Sequence, residues 1–198
     1  MASNRTSSTL AGALWSVDAE TSRLEKAFRA AVLALAGTFI LAVSAQLAVP
    51  MWPVPMTMQT FAVILIGAAY GWRLGGATVA LYLAQGAMGL PVFSGGVATA
   101  ALVGPTAGYI YGFVAAAALV GFLIEKGWGN SILKSTVAMT LGTAVIFAGG
   151  ISWLSSLIGF DAALASGFYP FIVGGLFKIA LAVAVLPIAW KVIRKFQG

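Results

Sequence analysis

Cysteine and histidine are both absent from this 198-residue chain. Without cysteine there is no disulfide framework and no thiolate metal site. Without histidine the commonest general base and metal ligand is gone. Charge is scarce as well: 8% of residues are charged, with 5 acids against 11 Lys and Arg. No G-x-x-x-x-G-K-[ST] loop occurs, so ATP is not bound in that way. The apolar stretches hold no Asp or Glu for a proton relay, and no nucleophile has a base beside it for covalent catalysis. These absences argue against an enzyme, and they leave any uphill movement of a solute dependent on energy supplied from elsewhere.

What the chain has in excess is apolar length. It is 61% hydrophobic with a mean hydropathy of +1.00, the composition of a polytopic α-helical membrane protein. Its 24 glycines predict closely packed helices. The net charge of +6 is not a nucleic-acid signature, because the basic residues flank apolar segments. Six spans are predicted, over residues 27–48, 59–70, 74–90, 106–124, 133–158 and 168–192. Crossing the hydrocarbon takes about 20 residues. The second and third are short for that, so their connecting loops are expected to fold back into the bundle, where non-helical backbone is tolerated.

Charge sets the orientation. Arg5, Arg23, Lys26 and Arg29 precede the first span, and Arg73, Lys126 and Lys134 lie in alternate loops. Lys191, Arg194 and Lys195 end the chain, while the opposite loops carry only Asp161. With six spans both termini are cytoplasmic. Val43-Ser-Ala45 passes as a cleavage site, but the segment before it is too long and too acidic for a signal peptide. The expected organisation is a loose, Ser/Thr-rich cytoplasmic tail over residues 1–26 and a six-helix membrane domain over 27–198. Small residues recur every fourth position at Gly67, Gly71 and Gly75, and at Gly104, Gly108, Gly112 and Ala116. These stripes read as packing within the chain. The stripe Ala30, Ala34, Thr38, Ala42, with Ala27 and Ala31 beside it, follows the basic entry to the first span and is also open to an external partner.

All but one of the Lys and Arg residues lie at the ends of apolar stretches; Lys178 lies inside one. Placing a lysine at the centre of a span costs roughly 2.5–3.5 kcal/mol and marks a functional site by default; the alternative is a side chain that snorkels to the interface. Two uncharged loops face the side opposite the termini. In the first, residues 48–60, prolines favour extended backbone, Trp52 and the methionines 51, 56 and 58 make an apolar surface, and Thr57, Gln59 and Thr60 bring polar groups to the second span. This loop reads equally as a connector with an interfacial Trp or as the cover of a pocket. The second loop, residues 89–109, carries Gly95-Gly96, which permits backbone that other residues resist. Upstream, Tyr82 and Gln85 place polar groups within the third span, where they read equally as site residues or as hydrogen bonds between helices.

Four stretches together resemble the BioY family, the biotin-specific substrate-binding subunits of energy-coupling factor (ECF) transporters. They are Val54-Pro-Met-Thr-Met-Gln-Thr60, Tyr82-Leu-Ala-Gln-Gly-Ala-Met-Gly-Leu-Pro-Val-Phe-Ser-Gly-Gly96, Gly104-Pro-Thr-Ala-Gly-Tyr-Ile-Tyr-Gly-Phe113 and Pro170-Phe-Ile-Val-Gly-Gly-Leu-Phe-Lys178. The resemblance implies a six-helix bundle in the prokaryotic cytoplasmic (inner) membrane that captures biotin from outside. It implies separate ATPase subunits and a transmembrane coupling subunit as partners, membrane lipid as surroundings, and no cofactor. The expected substrate site is Lys178 with Tyr82, Gln85, Thr57 and Gln59 as polar groups. Trp52, Met56, Phe93, Tyr109, Gly95 and Gly96 are expected around the ligand body. Ala27, Ala30, Ala31 and Ala34 are the expected partner surface. The family's usual Gly-Asp-x-x-Lys pattern is broken here, where the acid is replaced by Gly175, leaving Lys178 without a counter-charge. Two other readings stay open: a substrate-binding subunit for another vitamin or anionic metabolite, and a ligand-free membrane assembly protein.

Overall fold

A computed structural model describes residues 9–14 and 21–197 of the chain. Among the described residues there are seven α-helices: α1 Leu10–Leu14, α2 Arg23–Gln46, α3 Gln59–Ala87, α4 Ala107–Glu125, α5 Ile132–Ile158, α6 Phe160–Gly167 and α7 Phe171–Gln197. Five of these, α2, α3, α4, α5 and α7, are long and apolar enough to cross a membrane. The predicted second and third spans are continuous in α3. Their junction falls at Gly71, whose φ of 81° and ψ of 175° break the helix, a conformation open to glycine and strained for other residues.

The break folds α3 back on itself. The Gln59 side-chain amide donates to the Tyr82 hydroxyl at 2.8 Å, although the two are 23 positions apart; a straight helix would separate them by about 35 Å. A Cβ on Gly75 would lie 3.1 Å from the Cα of Gly67, so the two limbs run backbone against backbone. Glu125, at the end of α4, accepts the Trp72 N–H at 3.1 Å and satisfies a donor that the break exposes.

Small residues set the spacing of the other helices. A Cβ on Gly67 would fall 2.5 Å from the Ala117 carbonyl oxygen and 2.9 Å from its Cα, which fixes the approach of α3 to α4. Gly108 on α4 abuts Gly149 on α5, and Gly112 abuts Ile146. The glycine stripes therefore pack within the chain, and close approach through small residues is what holds helices together where water gives no hydrophobic drive between them. Hydroxyls inside the bundle bond to carbonyls of their own helices, as at Ser44, Thr78 and Thr143.

Two features depart from expectation at the N-terminal end. A capping box starts α2 at Arg23: the Ser22 hydroxyl accepts the Glu25 N–H at 3.2 Å and the Glu25 carboxylate accepts the Ser22 N–H at 3.1 Å. Of the expected tail, residues 1–8 and 15–20 lie outside the described residues. The part between them is docked rather than loose: Leu10, Ala11 and Ala13 are buried against the bundle, because burying an apolar turn on apolar helices outweighs leaving it in water. The alanine stripe of α2 is also divided. Ala34 is buried and Ala30 half-buried, while Ala27 and Ala31 are exposed.

Gly67→Ala is expected to force α3 and α4 apart and to destabilise the protein by about 1–3 kcal/mol, as overpacking does. Gly76, whose Cβ would meet only the Ala118 methyl at an ordinary 3.5 Å, should tolerate alanine. Thermal unfolding in detergent distinguishes the two: a lower midpoint for Gly67→Ala and an unchanged or higher one for Gly76→Ala.

Candidate functional site

Lys178 sits on α7 with 8% of its surface exposed. Its ammonium donates to the Thr57 carbonyl at 2.6 Å. A buried ammonium needs such a partner, and this one comes from a short antiparallel ribbon in which Ala48 pairs with Thr57 and Val49 with Met56. The prolines at 50, 53 and 55 keep the intervening chain out of a helix, which leaves the Thr57 carbonyl free for the lysine.

From Thr57 a run of hydrogen bonds continues inward. Its hydroxyl donates to the Gln59 side-chain oxygen at 3.1 Å and accepts the Gln59 N–H at 3.2 Å. The Gln59 amide donates to Tyr82, and the Tyr82 hydroxyl donates to the Val92 carbonyl at 2.7 Å. Each member satisfies the next, as a buried polar network must. Phe93 then stacks edge-on against Tyr82, with ring centroids 5.2 Å apart.

These groups face a cavity of about 270 Å³, near the lower end of small-ligand sites, which run from roughly 300 Å³ upward. Thr57, Gln59 and Lys178 line one wall, Phe93 and Tyr109 others. Tyr109 is held rigidly: its hydroxyl donates to the Gly167 carbonyl at 2.8 Å and fills the space a side chain at Gly167 would take, and its ring does the same at Gly150. Gly175 also lines the cavity beside Lys178, and a Cβ there would meet only the Phe147 ring at 3.8 Å. Among the described residues, no carboxylate lines the cavity. The loop after α3 covers it through Ser94, Val97, Ala100 and Ala101. That loop is pinned by bonds from Gln46 to the Phe93 carbonyl, Tyr111 to the Leu102 carbonyl and Trp153 to the Gly104 carbonyl, at 2.8–3.0 Å.

Not every expected site residue reaches the cavity. Tyr82 is fully buried behind Gln59 and acts through it. Gln85 turns toward α2, where its amide donates to the Thr38 hydroxyl at 3.3 Å. Trp52 points away, 88% exposed. Met56 packs its sulfur over Gly174 instead of lining the cavity. Gly95 and Gly96 are exposed and supply left-handed turns (φ 70° and 71°) that bring Ser94 and Val97 over the cavity. Conversely, Thr143 and Phe147 of α5 and Phe171 of α7 line the cavity without having been anticipated. Thr143, a polar residue in an apolar helix, was the one available signal.

The build is that of a multi-pass helical membrane protein with a largely apolar cavity and, among the described residues, one cation on its wall. The model of the BioY family matches residues 16–195. The chain is 38% identical over 146 residues to the probable biotin transporter BioY of Pyrococcus horikoshii, covering 72% of this chain and 85% of that one. It is 38% identical over 156 residues to the biotin transporter BioY of Thermotoga maritima, covering 75% and 88%. A crystal structure of the S-component for biotin from an ECF-type ABC transporter superposes with a TM-score of 0.77 at 26% identity, covering 86% of this chain and 95% of that chain. The chain belongs to the BioY family, and it is a multi-pass protein of the prokaryotic cytoplasmic membrane.

Tyr82→Phe keeps the shape of the wall but leaves the Val92 carbonyl and the Gln59 amide unpaired. It is expected to cost about 1–3 kcal/mol, the penalty for stranding a buried polar group, read as a lower unfolding midpoint without loss of helical content by circular dichroism.

Proposed function

We propose that this protein is the substrate-binding subunit of an ECF-type uptake transporter and that it captures biotin in the cavity beside Lys178. The observation that carries the reading is the lysine itself. In a chain of the BioY family, Lys178, the one cationic side chain on the cavity wall among the described residues, keeps further N–H donors for a ligand oxygen after bonding Thr57. Biotin offers an apolar thioether body for Phe93, Tyr109 and Phe147, and two polar ends, a urea and a carboxylate, for Lys178, Thr57 and Gln59. A mostly apolar cavity with a few placed polar groups is what such a ligand requires. The protein works as a transport subunit and not as an enzyme. It uses no cofactor, and biotin is its cargo.

The same reading supplies the arrangement in the membrane. The two limbs of α3 count as separate crossings, giving six in all, with both termini cytoplasmic and the cavity toward the outside. The tail and the membrane domain then divide near residue 27. ATPase subunits and a transmembrane coupling subunit supply the energy, and the exposed Ala27 and Ala31, with Ala30 and Ala34 behind them, offer the coupling subunit a close approach on α2.

Labelled biotin is expected to bind the purified protein saturably, and Lys178→Ala should weaken it by about tenfold or more, since a hydrogen bond to a charged group contributes roughly 1.5–3 kcal/mol. Equal affinity in the variant would remove the lysine from the site; saturable binding of a different vitamin but not biotin would redirect the cargo. In vesicles the chain alone should bind without uphill accumulation. The absence of cysteine makes the topology simple to test: Ser22→Cys and Arg73→Cys are expected to label from the cytoplasmic face and Trp52→Cys from outside. An Arg73→Cys that labels only from outside would end the six-crossing arrangement.

A further inference from the structure

The docked N-terminal turn lies outside the part of the chain that matches the family, which begins at residue 16, so its role does not follow from family membership. Its position is specific. Along each of four helices the cavity-lining residues are followed, toward one common end of the bundle, by residues of the cluster that holds Leu10 and Ala13. On α3 Ile64 is followed by Ala68; on α4 Phe113 by Val120 and Ile124; on α7 Lys178 by Ile179 and Ala182; and on α5, which runs the other way, Met139 precedes Thr143. The layer between is closed: Ile64, Val120 and Met139 are at most 1% exposed, and the Val120 side chain fills the space beside Gly142. Leu10 and Ala13 belong to the same apolar cluster as this layer, at 6% and 7% exposure. Thr9 caps the turn by accepting the Gly12 N–H at 3.2 Å, and its methyl sits 3.0 Å from where a Cβ on Gly71 would be, against the turn that Glu125 holds.

We propose that Leu10–Leu14 is a plug that closes the bundle on its cytoplasmic side, backing the floor of the cavity and holding the ligand against release in that direction. The seat is apolar and formed mainly by α3 and α7, and its occupant is this chain's own segment. Such a short element, held by a few buried side chains, belongs to the low-stability end of the structure and can open without unfolding the bundle. Withdrawal of the plug would uncover the Ile64–Val120–Met139 layer and free the cavity floor to part. The cytoplasmic sidedness and the identity of the ligand rest on the function proposed above; the closure itself does not.

Single cysteines in the full-length chain test it. Leu10→Cys is expected to react with a hydrophilic maleimide roughly tenfold or more slowly than the exposed Ser22→Cys, because it must wait for the turn to open. Met139→Cys should be protected, and adding Leu10→Asp, which places a charge in the apolar seat, should expose it to a small thiol reagent while labelled biotin dissociates roughly tenfold faster. Should Leu10→Asp fold poorly, deletion of residues 1–14, which spares the matched segment, serves as the second variant. A Leu10→Cys that labels as fast as Ser22→Cys, or a Met139→Cys that stays protected in a folded variant with the plug dislodged, overturns the proposal. If wild type binds no biotin, the proposed cargo fails, while the labelling results still decide whether the plug exists.

Discussion

An ammonium taken out of water must find oxygen, and in this protein that requirement ties the last helix to the chain before α3. Lys178 on α7 reaches the Thr57 carbonyl, and through Thr57, Gln59 and Tyr82 the same run of polar groups extends to Val92 in the loop after α3. Segments far apart in sequence are thereby held in one register. In hydrocarbon each unpaired polar group costs several kcal/mol, so the run is satisfied as a whole or the wall does not form. The lysine is at once the most expensive residue in the bundle to bury and the one that places the polar face of the cavity.

Around this run the bundle is drawn tight by small residues. Gly67 against Ala117, Gly108 against Gly149, and Gly121 against the Gly71 turn bring backbones into contact. Close packing of this kind leaves room only where large side chains stand apart. The cavity opens where Phe93, Tyr109, Phe113, Phe147 and Phe171 face one another, at the end where the loops cross over. Toward the other end, smaller aliphatic side chains close the floor, and the N-terminal turn lies behind it. Capture at one end and closure at the other thus arise from where bulky and small residues fall along the same helices.

The polar members of the wall were the most legible part of the site. Thr57, Gln59 and Lys178 stand out in sequence because polar groups are rare in apolar stretches, and all three line the cavity. Tyr82 was legible for the same reason, yet it stands one layer back, since a large ring with a hydroxyl is best satisfied where it is enclosed. Gln85 shares its helix but looks toward Thr38 on α2; near a helix face that is apolar all round, sequence does not say which neighbour a side chain meets. Trp52, in a loop, had no periodicity to orient it. Phe147 and Phe171 lie among apolar residues that mark no face as lining a cavity, and of the three only Thr143 carried a polar signal.

Composition and charge placement determined the class of protein: a chain this apolar, with its cations at the ends of long runs, can hide its backbone polar groups only as membrane helices. The division of α3 at Gly71 was legible because it is local, whereas the start of α2 at the Ser22–Glu25 capping box was not anticipated. Tertiary structure alone decided that the break is a tight return, that the docked turn at Leu10–Leu14 belongs to the core, and that one carbonyl of a proline-rich loop receives the buried lysine. Those outcomes depend on which surfaces meet, and the uniform hydrophobicity that made the class of protein plain is the reason the sequence does not mark them.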